Sequence, residues 1–288
     1  MAMRRNAIIT GSNAGIGFET ACELASRGFH CVLACRSIPR GEEAAASLRE
    51  RHPSASVQVM ELNLSDFSSV LLFAKRAIEE LGALHILVNN AGIGGMGFVY
   101  RPLADGTDEV YRVNFVAHFL LTLLLHESLC RGAQESESTA RVVCLSSVIH
   151  REGAPPATHE TPACAPLAKR GSNAESAATP WTGVADWETP LVHSPMQRTY
   201  GTSKLAMAVF AAEITRRWQS RGVVGIAVNP GAVNSDIWYR GQLSRWQERL
   251  VRATFLTLFL TSKQVRSPPL HTSTGLRPRP CPHLLPST

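Results

Sequence analysis

Tyr200 and Lys204 stand four residues apart in Tyr200-Gly-Thr-Ser-Lys204. On a helix that interval puts both side chains on one face, about 5–6 Å apart at their Cβ atoms. A phenol with its ordinary pKa of roughly 10 is a poor proton donor or acceptor at neutral pH. An ammonium fixed beside it favours the phenolate and is expected to bring the titration toward a useful range. Long chains carry such a pair by chance, so its meaning depends on the elements that hold it.

The first of those elements reads as a phosphate cradle. Residues 6–10 form a short apolar strand that runs into Thr10-Gly11-Ser12-Asn13-Ala-Gly15-Ile16-Gly17 and then a helical pattern. Glycine in a strand–turn–helix context lets the backbone approach a pyrophosphate, whose charge meets the helix N-terminus. An ordinary glycine-rich βα loop is the plain alternative. Residues 30–36 form the second strand and end in Cys35-Arg36-Ser37, with no acid. An acid there would grip a ribose hydroxyl, whereas arginine suits a 2′-phosphate. The pattern therefore favours NADP(H) over NAD(H), with Arg36 on the phosphate; the alternative is a solvated arginine.

The alternation continues through a helix at 41–51, a strand at 57–62 and a helix capped by Ser65-Asp66 that runs to 81. Asn63 and Leu64 end the third strand, where a loop could meet an adenine. A fourth strand at 84–88 closes in Asn89-Asn90-Ala91-Gly92. Ligands of such sheets bind beyond the carboxyl ends of the strands, and small residues there permit close approach. Asn89 fits a structural role as well as a ligand contact. Residues 108–129 read as one long apolar helix carrying Asn114 and His118. Asn114 either makes local hydrogen bonds or holds a water leading from a catalytic lysine to solvent; His118 reads as packed. The strand at 140–145 ends in Ser146-Ser147, which alternation turns opposite ways, so that one of them addresses the site.

Composition bounds the rest. The chain has 288 residues, 44% hydrophobic and 18% charged, which suits one large α/β domain. Its seven cysteines show no C-x-x-C pairs, so they read as buried thiols in a reducing compartment. Net charge is +6 and the pI about 9.1, but no basic run with interleaved aromatics marks a nucleic-acid surface. No signal peptide or spanning helix is expected, which points to the cytoplasm. Residues 238–259 are apolar with four arginines and read as a lid helix, or as a peripheral membrane contact. No metal site is expected.

These motifs, in this order, resemble the short-chain dehydrogenase/reductase family over roughly residues 6–264. Leu33-Ala-Cys-Arg36, Val113-Asn-Phe-Val-Ala-His-Phe119, Ala140-Arg-Val-Val and Leu145-Ser-Ser are similar to its retinol dehydrogenase and WW-domain oxidoreductase branch, here without a WW domain. The resemblance implies a doubly wound, parallel α/β sheet of Rossmann type with helices on both faces. It implies that Tyr200 exchanges a proton with a small apolar alcohol or carbonyl substrate (a retinoid, steroid or fatty aldehyde). Ser147 would bind the same oxygen, Lys204 would hold the nicotinamide ribose, and Asn114 would support a proton relay. Pro230, Gly231 and Val233 would meet the carboxamide.

The chain departs from the family at three places. Asn63 stands where an aspartate is common. Ser147 and Tyr200 are 53 positions apart (147 to 200), a long separation attributed to a surface insertion over residues 151–198. Residues 265–288 are rich in Pro, Ser and Thr and show no strand or helix pattern, so the last strand and helix of the domain are expected to be missing. Homo-oligomers that pair through that region are then in doubt. The alternative function is a dinucleotide-binding or interaction protein, from a truncated product, with weak or no turnover. Arg36→Asp should weaken NADPH by roughly tenfold or more while sparing NADH; equal weakening of both in a fluorescence titration removes Arg36 from the 2′-phosphate.

Overall fold

The computed structural model describes residues 4–94, 103, 108–152, 196–231, 233–234 and 260–261. Most of the expected insertion, including Trp181 and Trp187, lies outside the described residues, as do residues 238–259 and the tail at 265–288. Residues 151–152 close a 3₁₀ turn and 196–198 begin a helix, so structure trims the insertion at both ends.

Six strands form one parallel sheet: β1 (Arg5–Thr10), β2 (Phe29–Cys35), β3 (Val57–Glu61), β4 (Ile86–Asn89), β5 (Ala140–Leu145) and β6 (Val223–Val228). Their order is β3-β2-β1-β4-β5-β6. Strands covered on both faces need side chains that are apolar throughout, and every residue of β2 is buried. Successive side chains point to opposite faces, so Ile8, Val32 and Ala34 enter one core while Ala7, Ile9 and Leu33 enter the other.

The second core is closed by α1 (Gly15–Ser26) and α2 (Ile38–Arg51) through Ala21, Cys22, Ala45 and Leu48. The first is closed by α3 (Phe67–Leu81), by helices that follow β4, and by α7 (Met196–Trp218) through Met207, Phe210 and Ile214. This is the doubly wound architecture. Asp66 caps α3 as expected, its carboxylate accepting from Ser68 N at 2.9 Å. The five cysteines among the described residues are free and buried.

The stretch read as one helix over 108–129 is instead broken twice. After α4 (Glu109–Tyr111) comes a π-helical turn, Arg112–Val116, in which Ala117 N donates to the Arg112 carbonyl. It passes into α5 (Ala117–Leu124), and the chain then bends by 56° into α6 (His126–Glu135). The wide turn rolls Asn114 inward, as π-bulges at functional sites often do. Thr122 Oγ1 donates back to the His118 carbonyl at 2.7 Å, a bond that bends helices. The bend brings α6 against the chain entering β4: Leu84 N donates to the Ser128 carbonyl at 2.8 Å.

No single described helix is long and apolar enough to cross a membrane. The bent pair at 109–135 has the length and composition jointly, but its Leu121, Leu125 and Leu129 are buried in the core.

Among the described residues β6 pairs only with β5. Ile226, paired with Val143, is 38% exposed on the face that α1 and α2 cover farther along the sheet. Two short strands, β7 (Val233–Asn234) and β8 (Leu260–Thr261), pair with each other and add nothing to β6.

Gly132 on α6 makes that contact possible, since a Cβ there would lie 2.1 Å from the Leu84 carbonyl oxygen. Gly132→Ala should cost about 1–3 kcal/mol of stability. An unchanged melting temperature would mean that α6 can stand farther from β4.

Candidate active site

The connections from β1 and β4 leave toward opposite faces, which opens a crevice beyond their carboxyl ends. It is a cleft of about 270 Å³. Gly11, Asn13, Gly15, Ile16 and Gly17 form its floor. Gly11 and Gly15 have φ of +64° and +61°, the left-handed region that favours glycine. A Cβ on Gly11 would lie 2.9 Å from Ala91 Cα, and one on Gly17 would lie 2.4 Å from Asn90 Nδ2. The two loops can meet only because these positions lack side chains. Ala14, ahead of α1, supplies no side-chain cap, and the first turn of α1 has no acid. The first N–H groups of α1 therefore face the cleft with no side chain from the cap bonded to them. That arrangement fits the pyrophosphate of a dinucleotide.

Ser12, expected among these contacts, turns away: its hydroxyl is fully buried and donates to the Ile9 carbonyl at 2.8 Å. At the far end stand Arg36, Asn63 and Leu64, joined by Ser37 and Arg40, which the sequence reading did not single out. Arg40 was legible as a second arginine in the same βα connection. Asn63 Oδ1 accepts from Ser65 N at 3.1 Å, so it builds the turn it sits in.

Asn90, Ala91 and Gly92 line the opposite wall. Thr10 Oγ1 accepts from the main-chain N–H groups of Asn90 and Ala91, both at 2.9 Å. Asn90 Nδ2 returns a bond to the Thr10 carbonyl at 2.7 Å. Asn89 is fully buried and donates to Thr122 Oγ1 at 3.0 Å, a structural contact.

The Asn114 side chain makes no bond within its own turn and does not itself line the cleft. Its Oδ1 accepts from Ile93 N at 2.8 Å, and its Nδ2 donates to the Ile93 carbonyl and to Ser203 Oγ at 2.9 and 3.1 Å. It therefore ties the loop after β4 to α7, one residue before Lys204. His118, read as merely packed, is fully enclosed and bonds through both ring nitrogens, to Thr10 Oγ1 at 2.9 Å and to the Asn114 carbonyl at 3.1 Å.

Tyr200 and Lys204 reach the cleft from α7, and Ser147 reaches it from the end of β5. The serines alternate as expected: Ser147 hydrogen-bonds the Tyr200 phenol, whereas Ser146 Oγ donates to the Lys204 carbonyl at 2.8 Å. Lys204 Nζ donates to the Leu145 carbonyl at 3.0 Å and lies 5.5 Å from the Tyr200 ring centroid. Gly94, with φ of +124°, underlies the ring, and a Cβ there would sit 2.6 Å from Tyr200 Cδ2. Pro230 and Gly231 border the cleft, and Val233 begins β7.

One electrostatic expectation is overturned. Burial pushes the Tyr200 phenol up to about 12, and the Ser147 hydrogen bond offsets only part of that. Burial also brings Lys204 down to about 8. Desolvation thus outweighs the attraction between phenolate and ammonium across this distance.

The protein comparisons agree with this architecture. Residues 5–159 match the family described as short chain dehydrogenase. The chain belongs to that family. It is 40% identical to retinol dehydrogenase 12 of Homo sapiens over 230 residues, which cover 80% of this chain and 62% of that one. It is 36% identical to dehydrogenase/reductase SDR family member 13 of Bos taurus over 249 residues, covering 86% and 56%. The chain therefore spans less than two thirds of the length of these relatives. A solved short-chain dehydrogenase from Sphingobium yanoikuyae in complex with NADPH shares the fold, with a TM-score of 0.62 at 21% identity over 93% of this chain and 89% of that one.

Burial lowers His118 from an ordinary 6.5 to about 4. Between those values the unfolded chain binds a proton that the folded chain refuses, so stability falls as the pH drops from about 6.5 toward 4. In urea unfolding at pH 7 and pH 5, His118→Asn should lose less stability over that interval than the parent. Equal losses would show that His118 does not contribute to acid sensitivity.

Proposed function

We propose that the chain is an NADP(H)-dependent oxidoreductase that moves hydride between the nicotinamide and an apolar alcohol or carbonyl compound. The observation that carries this reading is the meeting of Ser147, Tyr200 and Lys204 in the cleft that begins at the glycine turn. Arg36 and Arg40, at the end of the cleft where an acid would select NAD(H), support the phosphorylated cofactor. The relatives named retinol dehydrogenases support a retinoid, steroid or similar apolar substrate.

The α1 N-terminus and the glycine turn would bind the pyrophosphate, and Asn63 and Leu64 would border the adenine. The cofactor, when bound, supplies or accepts the hydride. The chain's own residues orient the substrate and handle the proton. Ser147, already bonded to the phenol, would donate to the substrate oxygen. Tyr200 remains protonated across neutral pH, the form that gives a proton to a carbonyl oxygen as negative charge develops there. Lys204 is predominantly charged at pH 7 and would hold the ribose and favour that developing charge.

A second reading, binding without turnover, draws support from β6, which among the described residues pairs only with β5. NADPH consumption against a panel of apolar carbonyls separates the two. Tyr200→Phe should lower turnover by about 10²–10⁴-fold with NADPH affinity nearly unchanged. Reduction by Tyr200→Phe at the parental rate would remove the proposed chemistry.

A further inference from the structure

The Thr10 hydroxyl has one proton and two lone pairs to share. The Asn90 and Ala91 amides take both lone pairs. Its proton therefore leaves in a third direction, toward the Val88 carbonyl at 3.3 Å or His118 Nε2 at 2.9 Å. The other ring nitrogen of His118 faces the Asn114 carbonyl at 3.1 Å, and a carbonyl can only accept. A neutral imidazole carries a single N–H, so Nδ1 holds the proton and Nε2 accepts from Thr10. The reverse tautomer would aim an N–H at a hydroxyl whose lone pairs are occupied, and would set Nδ1 lone pair against carbonyl. With His118 fully enclosed, bulk water offers no alternative partner.

The two partners of His118 hold the two ends of one loop. Thr10 holds Asn90 and Ala91, and Asn114 holds both main-chain groups of Ile93. We infer that His118 is a positioning residue: as its Nδ1–H tautomer it fixes Thr10 and Asn114 together, and so sets the wall of the cleft at 90–93 against which the cofactor lies. This rests on the dinucleotide-binding reading of the cleft.

Asn and Gln divide the two functions of the imidazole. Asn carries its amide near the Nδ1 position, and Gln carries its amide near the Nε2 position. His118→Gln, which can still accept from Thr10, should keep the NADPH dissociation constant within about twofold of the parent. His118→Asn should raise it about tenfold, the loss of one buried hydrogen bond. In a Thr10→Val background His118→Asn should add no further loss, since the bond it breaks is already gone. ¹⁵N NMR of the parent's imidazole should find the proton on Nδ1. Equal NADPH affinity in parent, Asn and Gln proteins, simple addition of the Thr10 and His118 losses, or a proton on Nε2 would each overturn the assignment. If His118→Asn fails to fold, the NMR measurement and the Gln protein still decide it. A parent that binds NADPH and reduces no carbonyl overturns the proposed reaction alone, and the binding results stand; a parent that does not bind NADPH overturns both.

Discussion

Two backbone segments must come nearly into contact at the centre of this molecule, and much of the site follows from that approach. The turn after β1 and the loop after β4 close to a separation at which a single added methyl at Gly11 would meet Ala91 Cα at 2.9 Å. Parallel strands lying side by side bring the loops near each other. Their connections leave toward opposite faces, so a crevice opens beside the contact instead of filling with packed side chains. Glycine is required on the turn for space and for its positive φ. Thr10 supplies the polar complement by accepting from the main-chain amides of Asn90 and Ala91.

From that junction the remaining supports radiate through hydrogen bonds. Asn114 is turned inward by the π-helical turn and joins the loop after β4 to α7 through Ser203. Ser146 then fixes the backbone of Lys204, and Leu145 fixes its ammonium. The Tyr200 phenol thus rests on elements that are each locked by buried bonds, the condition under which a group can be held to the tolerance that the proposed chemistry demands. The same burial explains its titration. Both Tyr200 and Lys204 are displaced toward their neutral forms, because loss of water costs a charged group more than its neighbour returns at this separation.

The edge at β6 shows how far the fold is complete among the described residues. The core on the α3, α5, α6 and α7 side continues to β6 through Val223, whereas Ile226 on the other face stands partly exposed. The chain also spans less than two thirds of its named relatives. The cleft draws mainly on β1, β2, β4, β5 and α7, and it reaches the β6 edge through Pro230 and Gly231.

The sequence by itself determined the element order, the parallel sheet, the glycine cradle and the candidates Ser147, Tyr200 and Lys204. Each is written in local spacing: a period of two for strands, an interval of four on a helix, glycine where a turn needs positive φ. Strand alternation set Ser146 and Ser147 on opposite sides, and the family resemblance singled out Ser147. Only the tertiary structure decided which way polar side chains turn once buried. Ser12 faces inward because the Ile9 carbonyl lies behind it, Asn114 reaches across to Ile93 and Ser203, and His118 bonds to Thr10 across 108 positions of sequence. The breaks in the 108–129 helix and the raised phenol pKa escaped for the same reason: both depend on neighbours distant in sequence and on exclusion of water, which no local spacing records.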